Sequence, residues 1–334
     1  MKGSYKVVLQ NKRVKYEFTV RRNITIIRGD SATGKTTLIS MVAAVSNPGS
    51  MLGVTVECEK RCVTFTGIGW RSIIEELHDC IIFLDEEHYF ITSEEFASVV
   101  KRSDNYFVLI TRQRLENLPY SIEEIYGIRV SGKYSTLKQV YNEFFHLYHT
   151  AGVTPAIPKS VIVEDSNSGY EFFKNICDSV GVMCSSAYGK SNIKRLLITA
   201  GSDTIVVIAD GAAIGSEVDE LFQYMAMHQN VKCYFPESFE WVILKAGLMH
   251  NKVIQAILRA PENYIDSADY FSWERYFTKL LIQSTKDTYL RYSKNKLNPV
   301  YLQVREKKAI LSVMSSVIKF ENNRESKISN MKIF

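Results

Sequence analysis

A short apolar run, Ile24, Ile26 and Ile27, enters Gly29-x4-Gly34-Lys35-Thr36, and a helical pattern over residues 36–45 follows at once. This junction constrains the fold more than any other stretch. A strand that turns straight into a helix through a glycine loop puts that loop at the carboxyl edge of a sheet, facing the helix N-terminus. Glycines let backbone N–H groups converge on phosphate oxygens, and the helix end adds a favourable dipole. Gly29, Asp30, Ser31, Ala32, Thr33, Gly34, Lys35, Thr36 and Thr37 are therefore expected to surround the phosphates of a nucleoside triphosphate. Lys35 can reach the β- and γ-phosphates as a point charge, and the Thr36 hydroxyl is expected to ligate Mg2+.

A partner carboxylate follows. Cys80-Ile81-Ile82-Phe83-Leu84 reads as a buried strand ending in Asp85 and Glu86. Asp85 at the strand tip can hold Mg2+ through water, and Glu86 is placed to polarise an attacking water. The plain alternative for Glu86 is a solvated acid. The strand pattern at residues 106–111 leads into Thr111-Arg112-Gln113-Arg114. Thr111 is the candidate for sensing the γ-phosphate, with Arg112 or Arg114 stabilising transferred charge. Two exposed arginines opening a loop would read the same way.

These motifs resemble those of P-loop ATPases that carry a catalytic Glu after the second-motif Asp. The strand at residues 16–20 feeding residues 23–29 is similar to the start of ATP-binding-cassette domains, although no Leu-Ser-Gly-Gly-type signature is present. The resemblance implies ATP and Mg2+, with Lys35, Glu86, Thr111 and Arg112 as the catalytic set. Asp85-Glu86-Glu87-His88 resembles helicase second motifs, but no other helicase block accompanies it. A P-loop kinase is a rival, with Asp85 or Glu86 as base for an acceptor hydroxyl. No arginine-rich lid supports it.

Strand and helix patterns alternate through the first half, which predicts an α/β unit with a largely parallel sheet. Ala151-Gly152-Val153-Thr154-Pro155-Ala156-Ile157-Pro158 is the best linker. The expected division is a P-loop domain at 1–150, a smaller α/β domain at 159–245 and a basic helical region at 246–334. In the last region Val304, Ile310, Leu311, Met314, Val317 and Ile318 fall on one face of a helix.

In the second unit, Val161-Ile162-Val163 ends in Glu164-Asp165, and Ile205-Val206-Val207-Ile208-Ala209 ends in Asp210-Gly211-Ala212. This order resembles the Toprim domain of topoisomerases, primases and overcoming-lysogenisation-defect nucleases, and an ATPase followed by Toprim is the layout of those nucleases. The resemblance implies that Glu164 and Asp210 share a Mg2+ for phosphodiester chemistry. Ala212 stands where that family has a second Asp, and Ser168 where an acid commonly follows the first Glu. Asp165, Glu237 or Glu240 could substitute, and Ala212 is expected to face the same pocket. Nuclease activity is accordingly not expected. Any small α/β domain with solvated strand-end acids is the alternative, and Glu217 and Asp219 have the simpler reading of a helix start.

Charge is uneven. The formal net charge is +5, yet residues 241–334 carry 16 Lys/Arg against 8 Asp/Glu. Lys286, Arg291, Lys294, Lys296, Arg305, Lys307 and Lys308 crowd together with Tyr289, Tyr292 and Tyr301 between them. Basic groups meet phosphates and tyrosines stack on bases, so nucleic acid is the expected partner. A solvated helix face with tyrosines packed beneath is the alternative. The six cysteines read as reduced thiols. Cys58 and Cys62 with His78, Cys80 and His88 have a poor zinc spacing. No apolar run is long enough to span a membrane, and the first one is too short for a secretory signal, so a cytoplasmic protein is expected. The sequence thus predicts an ATPase working on, or gated by, nucleic acid, as in mobile-element or phage-defence machinery. A nucleotide switch whose second domain docks a protein is the rival, and self-association stays open.

Overall fold

Asn11 reverses the chain at the first hairpin. Its side-chain oxygen accepts the N–H groups of Arg13 (2.8 Å) and Val14 (2.9 Å), a local turn that competes well with extended chain. It pairs β1 (Tyr5–Gln10) antiparallel with β2 (Val14–Val20). The structure, a computed structural model, describes residues 1–29, 33–46, 53–131, 140–148, 155–201 and 203–320. Asp30, Ser31 and Ala32 of the glycine loop lie outside the described residues. The chain forms two compact units, one of Met1–His149 with Ala256–Trp273 and one of Thr150–Gln255 with Glu274–Phe334. The 246–334 stretch is thus shared between them.

The first unit continues with β3 (Ile24–Arg28), α1 (Lys35–Ser46), β4 (Thr55–Glu57), β5 (Arg61–Val63), α2 (Trp70–Glu76), β6 (Cys80–Asp85), α3 (Glu94–Val100), β7 (Tyr106–Ile110), β8 (Ile125–Ser131) and β9 (Val140–His146). The strands make one sheet in the order β4-β1-β2-β9-β8-β3-β7-β6-β5. Five of its pairings are parallel and three antiparallel. The parallel part runs from β8 to β5. Its central strands β3 and β7 are buried along their whole length, as expected where both faces are covered.

β4 and β5 sit at opposite edges of this sheet, although only residues 58–60 separate them in sequence. Four Cα steps span at most roughly 14 Å, so the sheet must curl until its two edges approach. The curl wraps α1. Leu38, Met41 and Val42 of α1 share one core with Leu9, Phe18, Ile27, Cys62, Phe83, Val108 and Ile128, drawn from seven strands. Phe18 of β2 meets Phe83 of β6 edge-on at 6.2 Å, which brings the two halves of the sheet together across the helix.

The second unit contains β10 (Ser160–Val163), α4 (Ser168–Val180), β11 (Met183–Ser186), α5 (Ile193–Thr199), β12 (Ile205–Ile208), α6 (Val218–Met227), β13 (Val231–Tyr234) and α7 (Phe239–Lys245). Later in the chain come α8 (Lys252–Arg259), which the division between the units crosses, α9 (Trp273–Thr285), which from Glu274 on belongs to the second unit, and α10 (Val304–Met314). Its four strands are all parallel, in the order β11-β10-β12-β13. The winding reverses between β10 and β12. At such a switch point the carboxyl ends of two neighbouring strands open a crevice, where α/β sheets place ligands. Among the described residues no helix is long and apolar enough to cross a membrane.

Candidate functional site

The loop after β3 is shaped by two glycines. Gly29 has φ of 147° and Gly34 of 91°, conformations that side-chain-bearing residues rarely adopt. A Cβ on Gly34 would stand 2.6 Å from the Tyr16 hydroxyl, and that hydroxyl donates to the Gly34 carbonyl at 2.7 Å. The Lys35 ammonium crosses to the Gly29 carbonyl and lies 3.5 Å from Thr33 Oγ1. Thr36 and Thr37, in the first turn of α1, are exposed. A lysine beside the Gly29 carbonyl and exposed hydroxyls at the helix start are groups suited to a triphosphate with Mg2+.

Strand register aligns the other predicted groups. Ile27 of β3 pairs with Ile110 of β7, and Ile110 pairs with Asp85 of β6. Gly29, Thr111 and Asp85 therefore sit at three adjacent strand ends. With neighbours about 4.8 Å apart, β3 and β6 are roughly 10 Å apart. Glu86 is exposed and accepts the backbone N–H of Arg112 at 2.5 Å, so these two residues meet across the β6–β7 ends. The Arg112 side chain is exposed, and Arg114 pairs with Glu116 at 3.6 Å. Thr111 is fully buried. Its N–H donates to Ile27 O at 3.1 Å, and its hydroxyl accepts the Gln113 N–H at 2.9 Å. The observed contacts of Thr111 hold the turn after β7.

His88 joins the site without having been singled out for it. Its Nδ1 lies 2.8 Å from Asp85 Oδ1, and its Nε2 donates to Phe65 O at 2.6 Å. The Glu87 N–H also donates to Asp85 Oδ1, at 3.1 Å. Burial raises the Asp85 carboxyl, but the imidazole and backbone contacts outweigh it and hold the group below its ordinary range. For His88 burial lowers, yet Asp85 and the Phe65 carbonyl more than compensate, so its pKa is raised. The short spacing Asp85-x-x-His88 was the available signal. Of the other residues weighed for zinc, His78 pairs with Asp104 at 3.1 Å and Cys80 Sγ donates to the His78 carbonyl at 3.1 Å. Among the described residues no group of three or more His, Cys, Asp or Glu side chains is arranged to hold a metal ion.

In the second unit Val163 pairs with Ile208, so Glu164 and Asp210 end neighbouring strands at the switch point. The Asp210 N–H donates to Glu164 Oε2 at 3.4 Å. Burial drives both carboxyls up. Glu274, Glu164 and Glu240 add to it at Asp210, where Lys294 opposes. Glu274 and Asp165 add to it at Glu164, against the Asp210 N–H and Lys190. A cavity of about 20 Å³ lies between Glu164, Asp165, Asp210 and Phe239, too small for an organic ligand. Ala212 does not line it, contrary to expectation; its N–H donates to Glu237 O at 3.2 Å. Gly211 is pressed so closely on Phe235 O that a Cβ there would lie 2.6 Å away.

The acids considered as substitutes are engaged elsewhere. Asp165 accepts the N–H groups of Ser166 (2.7 Å), Asn167 (2.9 Å) and Gly169 (3.0 Å) at the start of α4. Ser168 Oγ lies 2.5 Å from the Tyr292 hydroxyl, which donates to Glu240 Oε1 at 2.8 Å. Lys294 bonds Glu274 and lies 3.7 Å from Glu240. The basic segment is accordingly mixed. Tyr292 and Tyr301 are buried and cannot stack on bases, a correction to the interleaved reading, whereas Tyr289 is 61% exposed. Lys286, Arg291, Lys296, Arg305 and Lys308 are exposed and Lys307 partly so. Compared with known proteins, the chain matches no family model and no curated protein sequence.

Proposed function

We propose that the first unit binds and hydrolyses a nucleoside triphosphate, ATP by its resemblance to catalytic-Glu P-loop ATPases. The observation that carries this reading is the alignment of the glycine loop, Thr111 and Asp85 at three adjacent strand ends. Backbone N–H groups and Lys35 hold the phosphates, and the closed Tyr16–Gly34 contact fixes the loop. Thr36 and Asp85 would hold Mg2+, which when bound neutralises charge on the β- and γ-phosphates. His88 orients the Asp85 carboxylate. Glu86, exposed beside it and steadied by the Arg112 N–H, polarises the attacking water.

Nucleic acid is the proposed partner of this ATPase. The five exposed cations of the 286–308 segment and exposed Tyr289 support it. The nucleotide-switch reading has its own support, because Asp165, Ser168 and Glu240 are tied up in internal contacts that favour a second unit without Mg2+ catalysis. ATP turnover measured with and without single- and double-stranded DNA and RNA separates the two. Stimulation that falls with salt supports the nucleic-acid reading. Turnover that ignores every nucleic acid removes it and leaves the switch.

A further inference from the structure

Where the first unit's chain passes from β4 to β5, two thiols gather on one backbone unit. Glu59 and Lys60 bend the chain there. The Lys60 N–H donates to Cys58 Sγ at 3.4 Å, and Cys62 Sγ donates to the Lys60 carbonyl at 3.8 Å. The two thiols also hydrogen-bond each other. Their surroundings differ. Cys58 is half-buried, whereas Cys62 is 5% exposed and belongs to the core around α1. The hydrogen bond from Cys62 holds the Cys58 thiol down at about 7; burial and Glu59 oppose it, and the Lys60 N–H and ammonium assist. The same bond pushes the Cys62 thiol up, and burial, Cys58 and Cys80 add to it. One sulfur is thus a reachable thiolate at neutral pH, the nucleophilic form, and its neighbour keeps its proton.

We propose that Cys58 and Cys62 are a peroxide-reactive dithiol, a modification site of the first unit with Cys58 as nucleophile and Cys62 as resolving thiol. The Cys58 thiolate attacks one oxygen of hydrogen peroxide, the O–O bond breaks, and the departing hydroxide is protonated to water. Cys58 becomes a sulfenic acid. The Cys62 sulfur then attacks the Cys58 sulfur, the S–O bond breaks, and the departing hydroxide takes the Cys62 proton. Two thiols and one peroxide give one disulfide and two waters; the sulfurs lose two electrons and the peroxide oxygens gain them. The bridge closes the link between two edge strands of the sheet. The inference does not depend on the nucleotide reading.

Trypsin cuts after Lys60 and Arg61 and so separates the two cysteines, and a bridge appears as a peptide ending at Lys60 joined to residues 62–71. The full chain is treated with excess hydrogen peroxide at neutral pH, blocked with iodoacetamide, digested and weighed by mass spectrometry. The wild type is expected to give the joined pair, which dithiothreitol separates. Cys62→Ala should stop at a Cys58 sulfenic acid that dimedone traps, and Cys58→Ala should leave Cys62 unoxidised. No joined pair in the wild type, Cys58 joined to Cys80, or dimedone on Cys62 in Cys58→Ala would each overturn the proposal. The pH dependence of Cys58 alkylation needs no variant. Its midpoint is expected at about 7, and a midpoint at about 8.5, the ordinary thiol value, would overturn the assignment of the nucleophile.

Discussion

The Tyr16–Gly34 contact gives the sharpest test of how the loop is built. Alanine at position 34 must adopt φ of 91° and put its Cβ 2.6 Å from the Tyr16 hydroxyl. The backbone strain is about 1–2 kcal/mol. Tyr16 is fully buried and stacks edge-on with Phe144 at 6.4 Å, so its ring has little room to retreat. Overpacking adds roughly 1–3 kcal/mol and the lost hydrogen bond about 1 kcal/mol. Gly34→Ala is therefore expected to cost roughly 3–6 kcal/mol. Tyr16→Phe alone should cost about 1 kcal/mol, because the Gly34 carbonyl still accepts the Leu38 N–H at 3.0 Å. In Tyr16→Phe/Gly34→Ala the nearest ring carbon stands 3.6 Å from the new Cβ, an ordinary contact. The double variant should then be less destabilised than the sum of the singles by about 1–3 kcal/mol. Urea unfolding of the four proteins measures this, read on the first unit's transition because two units can melt separately. Additivity within about 0.5 kcal/mol would refute the steric account and leave φ strain alone.

Where one local signal dominated, sequence and structure agree. β3, β6 and β7 fall where their apolar runs place them, since each is a short apolar run closed by turn residues or acids. β8 and β9 escaped notice for a physical reason. Gly127 interrupts β8 and reads as a breaker, yet it pairs with Phe145 of β9, whose ring would lie 2.5 Å from a Cβ there. The missing side chain is what lets the aromatic ring cover the strand, a pairing no single-strand pattern reveals. β11 (Met-Cys-Ser-Ser) is an edge strand paired on one side only and has no hydrophobic period. The strand–glycine-loop–helix junction and the Asp85 strand were legible because each is contiguous in sequence. The Lys294 cluster was not, because Glu240, Glu274 and Lys294 converge only through tertiary folding. Its lysine looks like any other member of a basic run, and Tyr292 and Tyr301 look the same in sequence whether they stack on bases or fill a core.

Lys35→Ala should abolish the nucleotide-induced thermal shift, which for wild type at 100 times Kd corresponds to about 2.7 kcal/mol; an unchanged shift would move the site elsewhere. Glu86→Gln keeps an oxygen for the Arg112 N–H and should retain nucleotide binding while turnover falls about 10²–10⁴-fold, whereas near-normal turnover would assign the base to another residue. Asp165→Ala leaves three N–H groups at the start of α4 without their acceptor, and should cost about 1–2 kcal/mol by urea unfolding of the second unit. The final prediction concerns pH, measured in EDTA without nucleotide. The raised His88 pKa means its contribution is complete below about 6.5, its unfolded value, and is lost as pH rises through the folded one. The lowered Asp85 pKa means its share is present above about 3.9 and is lost as pH falls through its folded value. The stability difference between wild type and His88→Gln should therefore be greatest at about pH 4–6.5 and shrink at higher pH, because a neutral Nδ1 can only accept the Asp85 N–H, 3.2 Å away, and no longer donates to the carboxylate. A difference that stays level from about pH 5 to pH 9 would show that His88 acts by packing against Phe65 and Phe90 and not by its charge.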